Sequence, residues 1–448
     1  MEDGLPRAEA VAVRNGRILA VGADEEVLAL RKRPTRVVDL GGRTLLPGFI
    51  DSHAHWIGDG SMVGYNADLA VDAALSRGWT SINEQFVNQD RLEALRALDA
   101  AGRLRLRVNA YLPMNFEDEK FGHWFRGFEP RHAYSPHLRL GGIKLFLDHD
   151  CGTRFHWDQA ELDEYVLSAH RLGWQVTAHT ISAEAHDQYL TAVVRAQAAH
   201  PNPDARHRAE HVVQLRDDQL TRMGDLRMIA SIQPGMPGDL AAEAGFPELV
   251  ARGQTRWIAR WRDLVESDLR TIGSTDTPWL VLAVGNQMPH GSPLEAIHQA
   301  VTRQSYLGRP PEDWQLAQRL TVDQALRLFT IDGAYGTFEE DVKGSLARGK
   351  YADIVIVSDD PTTVAVDSLP DIRVLATVVG GRVEHCADTA LCQPVQSAAV
   401  TSISTSWPGK PSWATPRRVL AEVKAGASGD ALSCVQTAAS SSRSGLAT

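Results

Sequence analysis

The chain has 448 residues, 43% of them hydrophobic and 23% charged, with a formal net charge of -10. That length is too great for one small domain and suits a barrel of ~250 residues with a smaller module beside it. The acidic balance argues against nucleic acid or an anionic membrane surface as the main partner, and no apolar run approaches the ~18–20 residues of a membrane span.

The opening MEDGLPRAEA has neither a basic n-region nor an apolar h-region, so no secretory leader is expected and the cytoplasm is the default location. Next, AVAVRNGRILAVGADEEV alternates apolar and polar residues around Asn15-Gly16, the signal of a hairpin. A second β-rich stretch, GKYADIVIVSDDP and VLATVVGGRVEH, comes only near the other end. Neither piece can bury a core alone, so residues 1–45 and 338–390 are expected to form one composite β-sandwich. Between them, residues 46–337 repeat a short apolar strand followed by an amphipathic helix. The strands read as LLPGFIDSHAH, WTSINEQFV, LRVNAYL, GGIKLFLDH, WQVTAHT, HRAEHVV, MIASIQP and RTIGSTD. Such alternation predicts parallel βαβ units, and eight of them favour an α/β fold closed as a (β/α)8 TIM-type barrel. The acidic run GTFEEDVKG reads as a solvated link into the β module. Cys151, Cys386, Cys392 and Cys434 are scattered without a CxxC, which predicts no disulfide framework. Residues 391–448 are rich in Ser and Ala and read as largely disordered, with VLAEVKA able to form one short helix.

Reactive side chains of a parallel barrel gather at the C-terminal strand ends. Strand one ends in His53-Ala-His55, whose imidazoles share a side because strand side chains alternate. Lys144 interrupts the apolar run of strand four, and strands five, six and eight end at His179, His211 and Asp276. A lone strand-end histidine is more often structural, and an aspartate before Thr-Pro can simply begin a turn. Six such residues at the strand ends of one barrel predict a metal site instead. Imidazoles and a carboxylate suit zinc or a similar ion. A buried ammonium beside cations is poorly placed, but a neutral lysine can add carbon dioxide. Carboxylated Lys144 would then bridge two divalent metals, which activate a water as hydroxide, while Asp276 shuttles its proton.

The motifs LLPGFIDSHAH, RGWTSINE, GGIKLFLD, GWQVTAHTISAEA, RHRAEHVVQLRDDQL, GSTDTPW, LTVDQALRLFTIDGAYG and GSLARGKYADIVIVSDDP resemble the amidohydrolase superfamily, within it the YtcJ-like group that includes N-substituted formamide deformylases. The resemblance spans roughly residues 8–390. It implies a barrel with a composite β-sandwich and a divalent metal held by His53, His55, Lys144, His179, His211 and Asp276. Departures surround that set. Only about 20 residues separate Trp56 from Gly78, where the group carries a long insertion; Asn83-Glu84 stands for a His-Asp pair, DHDCGTRF for DGSLGSRT, and ISAEA for a GDRA-type loop.

The function that follows is metal-dependent hydrolysis of a C–N bond in an amide-like small molecule. Deamination, ester or lactone hydrolysis, and a catalytically silent barrel are the alternatives. His149, Arg154 and Trp279 are the candidate substrate contacts; Arg154 has a structural salt bridge as its second reading. A small-molecule substrate is expected, with neither nucleic acid nor membrane as partner, and homodimerisation is left open.

Overall fold

The computed structural model describes residues 7–148, 154–235, 252–267, 269–279, 291–305, 308 and 310–392. His149, Asp150 and Cys151 lie outside the described residues, as does nearly all of the Ser/Ala-rich tail, VLAEVKA included. Asn15 and Gly16 take φ of 52° and 75°, the left-handed pair that a tight hairpin turn requires. β1 (Ala10–Arg14) and β2 (Arg17–Gly22) therefore pair antiparallel across it.

The run LLPGFIDSHAH is two strands rather than one. β3 (Thr44–Pro47) belongs to the small sheet, and β4 (Phe49–Ala54) opens the barrel. The break falls at Gly48, where an added Cβ would stand 2.3 Å from the Thr80 side chain. Only glycine lets the two strands pass so closely.

The barrel continues through β5 (Trp79–Glu84) and β6 (Arg107–Pro113), then, after the short hairpin of β7 (Asn115–Phe116) and β8 (Glu119–Lys120), β9 (Leu138–Phe146). β10 (Val176–Thr180), β11 (Arg208–His211), β12 (Ile229–Ile232) and β13 (Arg270–Gly273) complete it. Neighbours pair in parallel from β4 to β13. Closure comes just past the strand ends, where Asp276 N–H donates to His53 O at 2.9 Å and His55 N–H to Thr277 O at 2.8 Å. Each of the eight predicted strands supplies one barrel strand, the first by its second half alone, and the fold is a (β/α)8 barrel.

The helices bury the apolar stripe that the sequence spaces out. In Gln89–Ala100, Leu92, Leu95 and Leu98 face inward, and the Asn88 side chain caps the start by accepting from Arg91 N–H. Between the strands the barrel is unusually polar: Arg208, with no exposed surface, donates to Ser52 O at 2.6 Å and Tyr111 Oη at 3.0 Å.

β14 (Ile354–Val357), β15 (Val374–Val379) and β16 (Arg382–Cys386) join β3 in an antiparallel sheet of order β16-β15-β14-β3. Ile18 of the hairpin packs with Ile354, Ile356 and Leu375 of this sheet, so the β module draws on both ends of the chain. A buried ion pair ties it to the barrel, with Arg107 Nε 2.6 Å and Nη2 2.8 Å from the two oxygens of Asp353.

Two expectations are corrected. GTFEEDVKG is no solvated link: Glu339 and Lys343 are buried, pair at 2.7 Å, and engage Asn109 and Ser81 beneath the barrel. A turn after the Ile331–Tyr335 helix, with Lys343 N–H donating to Glu339 O at 2.9 Å, brings the two charged side chains together. Cys386 and Cys392 form a disulfide, because the Thr389–Cys392 helical turn brings their Cα atoms to 6.4 Å. Among the described residues, no helix is long and apolar enough to cross a membrane.

Candidate metal centre

His53 on β4 and His55 just past its end both face the mouth, as their Nε2 atoms show, lying 3.4 and 3.5 Å from Asp276 Oδ1. Donor atoms of these three residues all fall within 4.8 Å of one another. Asp276 reaches inward because its backbone holds φ 55°, a strained conformation of the kind that accumulates at functional sites. Lys144, buried on β9, brings Nζ to 3.4 Å from His53 Nε2. The His211 ring lies 4.9 Å from that of His53 and 4.3 Å from that of His179. The structure thus places all six predicted residues at one mouth, with His53, His55 and Asp276 the group whose donor atoms lie mutually within 4.8 Å.

Three of the imidazoles are oriented from behind. His53 Nδ1–H donates to Glu210 Oε2 at 2.7 Å, and Glu210 is in turn paired with Arg208 at 2.7 Å. His55 Nδ1 stands 3.2 Å from Asp59 Oδ2. His211 Nδ1–H donates to Gln233 Oε1 at 3.0 Å, which leaves Nε2 buried without a hydrogen-bond partner. Holding Nδ1 as the donor fixes Nε2 as the lone-pair nitrogen, the form in which imidazole binds metal. Burial keeps the rings neutral: it drives His53 far below its ordinary range, with Lys144 and His211 adding to the effect, lowers His55, and takes His211 down to about 3. Inward-facing lone pairs, a carboxylate and an orphaned buried nitrogen fit a borderline divalent ion.

Around this group, Asp51 accepts from Thr275 N–H at 2.9 Å and from Thr275 Oγ1 at 2.6 Å, tying β4 to the segment after β13. Burial pushes its carboxyl up to about 6. Burial would likewise raise Asp59, but the His55 and Arg91 contacts and the Trp279 indole outweigh it and hold Asp59 below the usual carboxylate range. Glu84 accepts from Gly58 N–H at 2.7 Å and from Ile57 N–H at 3.2 Å, pinning the short segment after β4; burial raises it to about 8.

Trp279 stands at the mouth, 37% exposed, its ring 6.3 Å from His55 and its Nε1–H donating to Asp59 at 3.0 Å. Arg154 takes the salt-bridge alternative with exposed Asp118. His149 lies outside the described residues. Glu210, Asp59, Gln233, Asp51 and Glu84 were missed in the sequence. The signals were there in Asp51 two residues before His53 and in Arg-Ala-Glu-His, a charged pair within a barrel strand.

The sequence model of the Amidohydrolase family matches residues 65–385. The chain is 27% identical to N-substituted formamide deformylase of Arthrobacter pascens over 342 residues, 68% of this chain and 57% of that protein. It is 24% identical to the amidohydrolase YtcJ of Bacillus subtilis over 272 residues, 56% of this chain and 48% of that protein. It spans about half the length of these curated relatives. A solved metal-dependent hydrolase from Pyrococcus furiosus shares the fold at TM-score 0.63 and 20% identity, over 79% of this chain and 95% of that one. With its barrel, its strand-end histidines and a family match that takes in most of its length, the chain belongs to the amidohydrolase family.

Proposed function

We propose that the protein is a metal-dependent hydrolase cleaving an amide-type C–N bond of a small molecule. The observation that carries this reading is the convergence of His53 Nε2 and His55 Nε2 on Asp276 Oδ1, beside the orphaned Nε2 of His211. His53, His55, His179, His211 and Asp276 would hold the metal. When bound, it would supply an activated water and a polarised carbonyl. Asp276 takes the proton of the attacking water and returns it to the leaving nitrogen. Trp279 walls the mouth.

The finer reading is two zinc ions with Lys144 carboxylated between them. Its support is a buried amine 3.4 Å from His53 Nε2, where an ammonium would be desolvated among other cations. A cytoplasmic setting goes with this reading, and Cys386–Cys392 is then reduced in the cell; free-thiol titration of rapidly quenched lysate decides it. Homodimerisation is read by sedimentation.

The test is metal analysis of protein from zinc-supplemented cells, followed by a panel of amides, amidines and esters. Bound metal with amine release from amides is expected. A metal-free chain inactive after zinc addition would overturn the proposal, and ammonia release from amidines alone would turn it towards deamination.

A further inference from the structure

Four phenylalanines stand beside the histidines at the barrel mouth. Phe146 follows Lys144 by two residues on β9, so both project from the same face. Its ring lies 5.6 Å from that of His179, nearly parallel at 24°, with Lys144 Nζ 4.9 Å from its centroid. Phe86, just past β5, and Phe116, in β7, meet Phe146 edge-on at 5.9 and 5.6 Å and each other at 5.2 Å. Phe121 extends the wall from Phe86 at 5.9 Å.

This is not ordinary core. Phe116 is 41% exposed and the other three are only partly buried. An apolar surface bordering polar strand ends is unfavourable in water and is relieved by a ligand that covers it. Phe86 is moreover held at φ 58°, a conformation that a residue with a bulky side chain adopts only when its surroundings enforce it. Arg91 does so, donating from Nη1 to Phe86 O at 3.2 Å with its guanidinium 5.5 Å from the ring.

We propose that Phe86, Phe116, Phe121 and Phe146 form the subsite for the non-reacting part of the substrate, and that this part is a flat, uncharged apolar group such as an aryl ring. The assignment rests on the hydrolase reading above. It specifies a substrate whose amide reaches the His179 side of the centre while its apolar group lies on the wall. A cationic substituent is disfavoured there, because the Arg91 guanidinium already stands 5.5 Å from the Phe86 ring.

The test uses the zinc-loaded full chain and two matched amides, acetanilide and N-methylacetamide. Isothermal titration reads binding whether or not turnover occurs, and amine release reads hydrolysis. Acetanilide should bind about tenfold tighter, the worth of one well-packed aromatic contact. Phe116→Ala, at an exposed position where folding is preserved, should erase most of that difference, with Phe121→Ala as the second variant. Where hydrolysis is seen, KM for acetanilide should rise with kcat unchanged, as for lost uniform binding. Equal affinity for the two amides, or no response to either variant, overturns the subsite. Selective acetanilide binding without cleavage of either amide supports the subsite while counting against the hydrolase reading. Cleavage of both amides with equal KM does the reverse.

Discussion

Glu210 Oε2 lies 2.7 Å from Nδ1 of His53, and neither side chain is more than 1% exposed. A carboxylate so placed fixes the tautomer of His53 and makes its other nitrogen a better donor. Glu210→Gln keeps the shape but loses the charge. Its affinity for zinc, measured by chelator competition, should fall by about 10–100-fold. Unchanged affinity would reduce Glu210 to a partner for Arg208.

Lys144 offers a second test of the centre. If its carbamate bridges two ions, Lys144→Met should hold one zinc per chain where the wild type holds two, and should lose the mass of carbon dioxide seen in the native protein. Metal analysis and native mass spectrometry read both. Equal metal content would remove the bridge and leave a single-metal site.

Glu84 makes stability depend on pH in a defined direction. Burial raises its pKa from the ordinary 4.5 to about 8, so the folded state holds this proton more tightly than the unfolded. Its contribution is full below 4.5 and is lost as pH rises through about 8. Glu84→Gln cannot ionise yet still accepts from Gly58 and Ile57. Thermal midpoints of variant and wild type should draw together in acid, and the variant should be the more stable in mild alkali. Parallel curves would show that Glu84 is ionised throughout.

The Arg107–Asp353 pair joins barrel to small sheet through two charge-assisted hydrogen bonds, with both side chains at most 5% exposed. Asp353→Ala strands a buried guanidinium and should cost about 3–5 kcal/mol, seen in the denaturation midpoint. Replacing both residues with apolar side chains of similar volume should cost much less, since no charge is left unpaired.

The strands were legible because periodicity is local, and the six candidate ligands because each sets reactive chemistry in or just past an apolar strand. What orients them was not. Glu210 lies 157 positions from His53, and only closure of the barrel brings them together. Asp59 is near His55 in sequence, but it sits outside any strand or long helix, so no periodicity marks it. The run LLPGFIDSHAH read as one strand because its apolar pattern continues through Gly48; the division depends on Thr80, which approaches from another strand. Glu339 and Lys343 looked solvated because charge alone does not reveal which side of a chain is covered.

The division at Gly48 also bears on how the molecule assembles. Thr44–Pro47 finds its neighbour in Ile354–Val357, roughly three hundred residues further along a chain made from its N-terminus, a separation of the kind that slows folding. Until that neighbour is made, the strand leading towards His53 and His55 has an open edge able to pair wrongly. The strand that leads into the barrel gains its sheet partner only after all the barrel strands have been made. The late β-strands of the small sheet thus act as a clasp of the fold, and losing them would loosen the chain where it enters the barrel ahead of His53 and His55.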